Sequence, residues 1–260
     1  MNIYISVVSH GHAEMIKQIN CLPELASQFN VVLKCNKPQD AVALNDWCAE
    51  NNIVMIGSDY GLGFGKNNNF VFDYCQQKLN MQGEDIFIVL NPDLHITAQQ
   101  ISELVANMQK DRVAFAAINL FKNDEKTVYD NSIRKFPTLK DFFQSFIFGV
   151  NKCIIDKSTV FTPTPVDWTA GSFMAIKASH YQQLSGFNEK YFMYCEDIDL
   201  CYRSQLLQVP VVYYPTIHAL HFAKHANRSV FSRHFMWHLQ STFRFLIFKF
   251  THRLHSSRGA

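Results

Sequence analysis

The stretch that decides the fold is Ile86-Phe87-Ile88-Val89-Leu90-Asn91-Pro92-Asp93, five apolar residues running into a polar turn that ends in a carboxylate. A short, continuous apolar run bounded by Asn and Pro reads as a strand. Similar runs precede it at residues 3–8, 31–33 and 53–56, with helix-like intervals from Ala13, at 40–50 and at 67–79. Strand and helix alternating in this way predict an α/β fold with a mostly parallel central sheet flanked by helices. In such sheets ligands bind beyond the carboxyl ends of the strands, so Ser9, after the first run, and Asn91-Pro92-Asp93 are expected at one mouth.

Beyond Asp93 the rhythm weakens. Residues 113–121 and 171–177 read as strands, and 196–207 as a helix after the turn-like Ser185-Gly186-Phe187-Asn188. Residues 139–150 read as an aromatic-rich helix or loop, and 158–165, with two prolines, as an irregular connector. Over 230–253, Phe231, Phe235, Leu239, Phe243, Leu246 and Phe250 recur every three or four residues, with Arg233, Arg244, Lys249 and Arg253 among them. Such a helix either packs on its own core or lies in a membrane interface. A nucleic-acid arm is a weaker third reading, because no binding motif accompanies the charge.

The 260 residues, 48% hydrophobic and 18% charged, can build a large packed core, which excludes a disordered chain and a multidomain assembly. The net charge of +2 conceals an asymmetry. Residues 1–199 carry 16 basic and all 22 acidic residues, whereas 200–260 carry eight basic residues, no acidic residue and seven of the eleven His. The C-terminal quarter is therefore expected to face an anionic partner. Seven Cys with no CxxC pair signal neither a zinc site nor a disulfide framework, which fits a reducing cytoplasm. The N-terminus lacks the basic start and long apolar run of a signal peptide, and no run of 18 apolar residues occurs, so a chain that is neither secreted by that route nor membrane-spanning is expected.

Four constellations could carry chemistry. Asn91-Pro92-Asp93 is either a turn or a carboxylate that holds a hard divalent cation and, through it, a diphosphate. Glu196-Asp197-Ile198-Asp199 crowds three carboxylates into a helix start; capping accounts for one or two, and mutual repulsion raises their proton affinity toward what a general base needs. His218, His221 and His225 could share a helix face and ligate a metal, although a lone binding His is the simpler reading, with Lys224 and Arg228 as phosphate contacts or a solvated basic face. Gly61-Leu62-Gly63-Phe64-Gly65-Lys66 fits neither the dinucleotide fingerprint nor the P-loop.

In this order, these pieces resemble the family-2 inverting glycosyltransferases of GT-A fold. The likeness spans almost the whole chain: Val7-Val8-Ser9-His10, Gly63-Phe64-Gly65 with Asn68-Asn69, Asn91-Pro92-Asp93, Asp167-Trp168 with Ala170-Gly171-Ser172-Phe173-Met174, residues 186–194, residues 196–203, and His221. Ser132-Ile133-Arg134-Lys135-Phe136-Pro137, residues 194–201 and Asn227-Arg228-Ser229 are similar to the bacterial rhamnosyltransferases of O-antigen assembly within that family.

The resemblance implies a dTDP-β-L-rhamnose donor, a polyprenyl-diphosphate-linked N-acetylglucosamine acceptor and an α-1,3-linked product. It implies a catalytic domain over 1–229, with a donor half to about residue 110 and an acceptor half after it, and a basic amphipathic helix and tail over 230–260. Asp197 then corresponds to the catalytic base, with Glu196 beside it. Asp93 and His221 correspond to the site of a divalent cation, Mg2+ or Mn2+. Ser9, Asn36, Gly63, Asn69, Asn91, Asp93, Lys224 and Arg228 fall on the donor side, and Arg134, Trp168, Gly171 and Ser172 on the acceptor side. Where the family commonly has Asp-Asn to contact the nucleobase, this chain has Cys35-Asn36. A lipid-linked acceptor implies peripheral attachment to the cytoplasmic face of the membrane through the basic C-terminal segment, with no nucleic-acid partner. A UDP or GDP sugar donor, and a noncatalytic sugar-nucleotide or lipid-binding module, are the competing readings.

Overall fold

The computed structural model of the chain describes residues 1–138, 141, 153–222 and 233–256. Strands β1 (Ile3–Ser9), β2 (Asn30–Cys35), β3 (Val54–Ile56) and β4 (Ile86–Leu90) lie side by side in the order β3-β2-β1-β4, all parallel. The connections carry α1 (Ala13–Ile19), α2 (Leu22–Ala26), α3 (Pro38–Glu50) and α4 (Phe64–Lys78). Strand β4 is buried along its whole length. Its pleat sends Ile86, Ile88 and Leu90 into one apolar core and Phe87 and Val89 into another, on the opposite face of the sheet.

The rest of the sheet is mixed. In chain order come β5 (Leu94–His95), α5 (Ala98–Asp111), β6 (Phe115–Phe121), β7 (Ile133–Arg134), β8 (Thr164–Val166), β9 (Trp168–Thr169), β10 (Phe173–Lys177), α6 (Ala178–Gln183), α7 (Glu196–Leu206) and β11 (Val211–His221). Strand β10 inserts between β4 and β6 and runs antiparallel to both, β11 is parallel to β6, and β5 and β8 run antiparallel to β11. The α/β class is as the sequence implies. Its parallel character is confined to β3-β2-β1-β4 and to the β6/β11 pair, because β10 enters the sheet from the opposite end and needs no crossover helix. Strands β7 and β9 form a separate ribbon.

Helix α5 lies in the interval where the sequence rhythm weakened. Thr97 caps it by accepting from the Gln100 N–H, and Ala98, Ile101, Leu104, Val105 and Met108 supply an apolar face. The expected irregular connector holds a 3₁₀ turn, Lys157–Thr159, and then β8, whose Pro165 sits on an outer strand, where a missing N–H is tolerated. His218 and His221 are not on a helix: both belong to β11, whose register shifts between Tyr214 and His218. His225 and, apart from residue 141, the stretch 139–150 lie outside the described residues.

Helix α8 (Arg233–Ser256) packs on the body of the molecule. Ser241, Thr242 and Phe245 are buried, and the Phe245 ring meets Tyr202 at 5.8 Å and Phe136 at 6.5 Å. The opposite side carries Met236, Phe243, Ile247 and Phe250, all more than half exposed. The core reading holds for the inner face of this helix, and the outer face is apolar and exposed. Of its expected cations, Arg244 donates to the Lys190 carbonyl and Lys249 to the Pro137 carbonyl, so both tie the helix to the body. The side chains of Arg233 and Arg253 lie outside the described residues.

Replacing Phe245 by Ala removes a fully buried ring and is expected to cost about 3–5 kcal/mol in a denaturant titration. Phe243→Ala, on the outer face, is expected to change stability by no more than about 0.5 kcal/mol. Equal effects of the two changes would refute this assignment of the faces.

Candidate active site

The carboxyl end of β4 and the start of β10 meet at one edge of the sheet. Leu90 pairs with Phe173, and the Asn91 N–H donates to the Ser172 carbonyl at 2.9 Å. One residue earlier, the Gly171 N–H donates to Oδ2 of Asp197 at 3.1 Å. Two hydrogen bonds donated by backbone N–H groups, one to a carbonyl and one to the Asp197 carboxylate, therefore link Asn91-Pro92-Asp93 to the first turn of α7.

Asp197 is half-buried and accepts a second bond, 2.9 Å from the N–H of Ile198. Burial raises its proton affinity above that of an ordinary aspartate, opposed by the two N–H donors and by the Arg134 charge. Glu196 is buried, its Oε2 has no hydrogen-bond partner, and burial together with the Asp197 charge raises it well above the usual carboxylate range. The third acid has a different task. Asp199 pairs with Arg203 at 2.7 Å, and Arg203 also donates to the carbonyls of Leu184 and Gly186, fixing the turn ahead of α7.

The backbone entering α7 is unusual. Tyr194 and Cys195, neither of them glycine, take consecutive left-handed conformations with φ of 72° and 62°. Each such residue costs about 1–3 kcal/mol and persists only where its surroundings hold it. Helix α8 provides the hold. Ser241 Oγ donates to the Met193 carbonyl at 3.0 Å, the Tyr194 hydroxyl lies 3.0 Å from His234 Nδ1, and the Phe192 and Trp237 rings meet at a tilt with centroids 4.6 Å apart.

At the other end of the edge, Nε2 of His221 lies 3.4 Å from Oδ2 of Asp93, and its Nδ1 lies 3.3 Å from Oδ2 of Asp130. Burial works against a charge on His221, but the carboxylates of Asp130 and Asp93 outweigh it and raise the imidazole to about 9. Oδ1 of Asp93 is buried without a partner. Seven buried side-chain polar atoms among the described residues lack a well-formed hydrogen bond; four of them are Asp93 Oδ1, Ser172 Oγ, Glu196 Oε2 and His221 Nδ1, the last keeping its ionic contact to Asp130. A buried polar group left unmade costs about 1–3 kcal/mol, so their concentration here marks an edge that a ligand completes. Among the described residues no group of three or more His, Cys, Asp or Glu converges as a metal cage. The pair Asp93 and His221 fits a hard cation that keeps waters and phosphate oxygens as its remaining ligands.

Several residues expected to touch ligand are engaged elsewhere. Asn36 donates to the Leu62 carbonyl at 2.8 Å and accepts from the Leu62 N–H at 2.9 Å, which ties its amide to the loop ahead of α4, and Cys35 is buried in the core. Asn69 accepts from the Tyr181 hydroxyl and the Phe187 N–H and donates to Phe187 and Glu189, which makes it a structural peg. Gly63 is a close-packing point: a Cβ there would lie 2.3 Å from the Phe192 carbonyl oxygen. Gly171 likewise packs on the Phe64 ring, which would stand 2.9 Å from a Cβ at that position. The Ser9 hydroxyl donates to Asp40 at 2.7 Å, and Asp40 also accepts from the Gly11 N–H. Trp168 is buried, donates to the Lys135 carbonyl, and forms the floor beneath Arg134, whose guanidinium lies 5.1 Å from the ring centre. Lys224 and Arg228 lie outside the described residues. Asp40 and Asp130 carry no signal in the sequence; both are isolated acids with no motif around them.

No family model matches the chain. It is 40% identical to the rhamnosyltransferase WbbL of Escherichia coli K12 over 94% of this chain and 92% of that protein. It is 28% identical to the N-acetylglucosaminyl-diphospho-decaprenol L-rhamnosyltransferase of Mycobacterium tuberculosis H37Rv over 75% of this chain and 67% of that protein. Among solved structures, GalNAc-T7 with UDP, GalNAc and Mn2+ matches with a TM-score of 0.62 at 14% identity, covering 94% of this chain and 47% of that one. A mannosyltransferase from Pyrobaculum calidifontis with GDP-Man and Mn2+ matches with a TM-score of 0.58 at 13% identity, covering 87% of this chain and 58% of that one. The chain belongs to the family-2 glycosyltransferases of GT-A fold, in the branch that holds the bacterial rhamnosyltransferases.

Proposed function

We propose that the protein is an inverting rhamnosyltransferase that moves L-rhamnose from dTDP-β-L-rhamnose to the 3-hydroxyl of polyprenyl-diphosphate-linked N-acetylglucosamine, in assembly of a cell-surface polysaccharide. The observation that carries this reading is the link through Gly171 and Ser172 between Asp197 and the end of β4, where Asp93 meets His221. The name of the M. tuberculosis relative supports the acceptor class.

In this mechanism Asp197 takes the proton of the acceptor hydroxyl while that oxygen attacks the anomeric carbon and the bond to the diphosphate breaks, which inverts the centre. The Gly171 and Ile198 N–H groups aim the carboxylate, and burial gives it the raised proton affinity that a base requires. Glu196 is buried beside it, and burial together with the Asp197 charge raises its proton affinity as well, so the two carboxyls form one proton-accepting pair. Arg134, held over Trp168, is the cation on the acceptor side. Asp93 and His221 would hold a Mg2+ or Mn2+ ion, which would supply positive charge opposite the departing diphosphate.

Attachment to the cytoplasmic face of the membrane follows from the same acceptor. No helix among the described residues is long and apolar enough to cross a membrane. The outer face of α8, with Met236, Phe243, Ile247 and Phe250 in a segment free of acids from residue 200 onward, suits the interface of an anionic bilayer.

Incubation with dTDP-rhamnose and a short-chain lipid-diphosphate-GlcNAc is expected to give a new glycosidic product that a chelator suppresses, with UDP and GDP sugars as inferior donors. Asp197→Asn is expected to lower turnover by about 10²–10⁴-fold with donor affinity retained; wild-type turnover in this variant excludes the role. The acidic limb of the wild-type pH–rate profile is expected above the ordinary aspartate range, since activity is lost as pH falls through a raised base pKa. Replacing Phe243, Ile247 and Phe250 together by Ser is expected to reduce sedimentation with phosphatidylglycerol vesicles, and unchanged sedimentation would rule out the α8 interface.

A further inference from the structure

Asp130 belongs to no motif, yet the chain returns it to the active edge by a self-contained excursion. After β6 the Lys122 N–H bonds to the Val128 carbonyl, Asn123 accepts from the Thr127 and Val128 N–H groups, and the Asp130 N–H closes onto the Leu120 carbonyl at 2.8 Å. The end of β6 lies beside the end of β11, with Phe121 in register with Leu220, the neighbour of His221. The excursion thereby sets Oδ2 of Asp130 3.3 Å from Nδ1 of His221, on the ring edge opposite the 3.4 Å contact between Nε2 and Asp93. Lys122 stands 3.9 Å behind Asp130.

An imidazole offers a lone pair at Nε2 only when the proton sits on Nδ1, and an acceptor facing Nδ1 selects that tautomer and fixes the ring plane. When a cation takes the place of the proton on Nε2, the carboxylate facing Nδ1 keeps the remaining proton there. We propose that Asp130 is the positioning residue of the cation site, holding His221 by Nδ1 so that Nε2 faces the cation beside Asp93. This rests on the assignment of Asp93 and His221 as the cation's protein ligands.

The test is Mn2+ binding, read by the electron paramagnetic resonance signal of free Mn2+, with the ion alone and with dTDP. Asp130→Ala is expected to weaken Mn2+ binding about 10–100-fold. Asp130→Asn, whose amide oxygen still accepts from Nδ1–H, is expected to recover part of the loss, and its melting curve checks that the fold is kept. His221→Ala combined with Asp130→Ala is expected to be no worse than His221→Ala alone, because the second residue acts through the first. Unchanged Mn2+ affinity in Asp130→Ala, with Asp93→Asn and His221→Ala both impaired, overturns the role of Asp130 and leaves the cation site standing. Unchanged affinity in Asp93→Asn and His221→Ala overturns both.

Discussion

The antiparallel seating of β10 against β4 is the constraint on which the rest of the active edge depends. A parallel strand in that position would start at the other end of the sheet and carry Gly171 and Ser172 away from Asn91. Entering in the reverse sense, β10 begins where β4 finishes, and its leading residues become a short bridge between two acids more than a hundred positions apart. Glycine at 171 lets the Phe64 ring pack directly on the backbone, since a Cβ there would lie 2.9 Å from the ring and push it aside. The Gly63-Phe64-Gly65 motif serves the same junction: Gly63 lets the start of α4 approach the Phe192 backbone, and Gly65 admits the Phe187 side chain.

The parallel half of the fold is legible in the sequence because each strand there is a solid apolar run and each helix fills the gap to the next. Helix α5 is as legible in principle, with Thr97 as its cap and an apolar face from Ala98 to Met108, yet it falls past Asp93, where the alternation of strand and helix loses its regular spacing. The reversal of β10 leaves no such mark, since strand direction depends on a route through residues 122–172 that has no periodic trace. His218 and His221 invite a helix because their spacing of three suits one, whereas the burial alternation that marks β11 is broken by its register shift near Pro215.

At the site, the acids Asp93 and Asp197 stand out because they sit in dense motifs at element ends. Asn36 and Asn69 stand out for the same reason, yet their amides hold the protein's own loops. A polar residue next to a ligand and one supporting a loop look alike in sequence; only the hydrogen bonds already made tell them apart. Asp40 and Asp130 are the converse, acids without a motif that take part through contacts made across long separations in the chain.

Helix α8 grips the left-handed Tyr194-Cys195 turn with one side and bares aromatic and aliphatic groups with the other. Amputating this segment would consequently do more than strip away a greasy exterior, because the bend that leads into the first turn of α7, where Asp197 sits, would lose its clamp. The two roles of the helix can be separated only by repainting the outer stripe while leaving the inner one untouched.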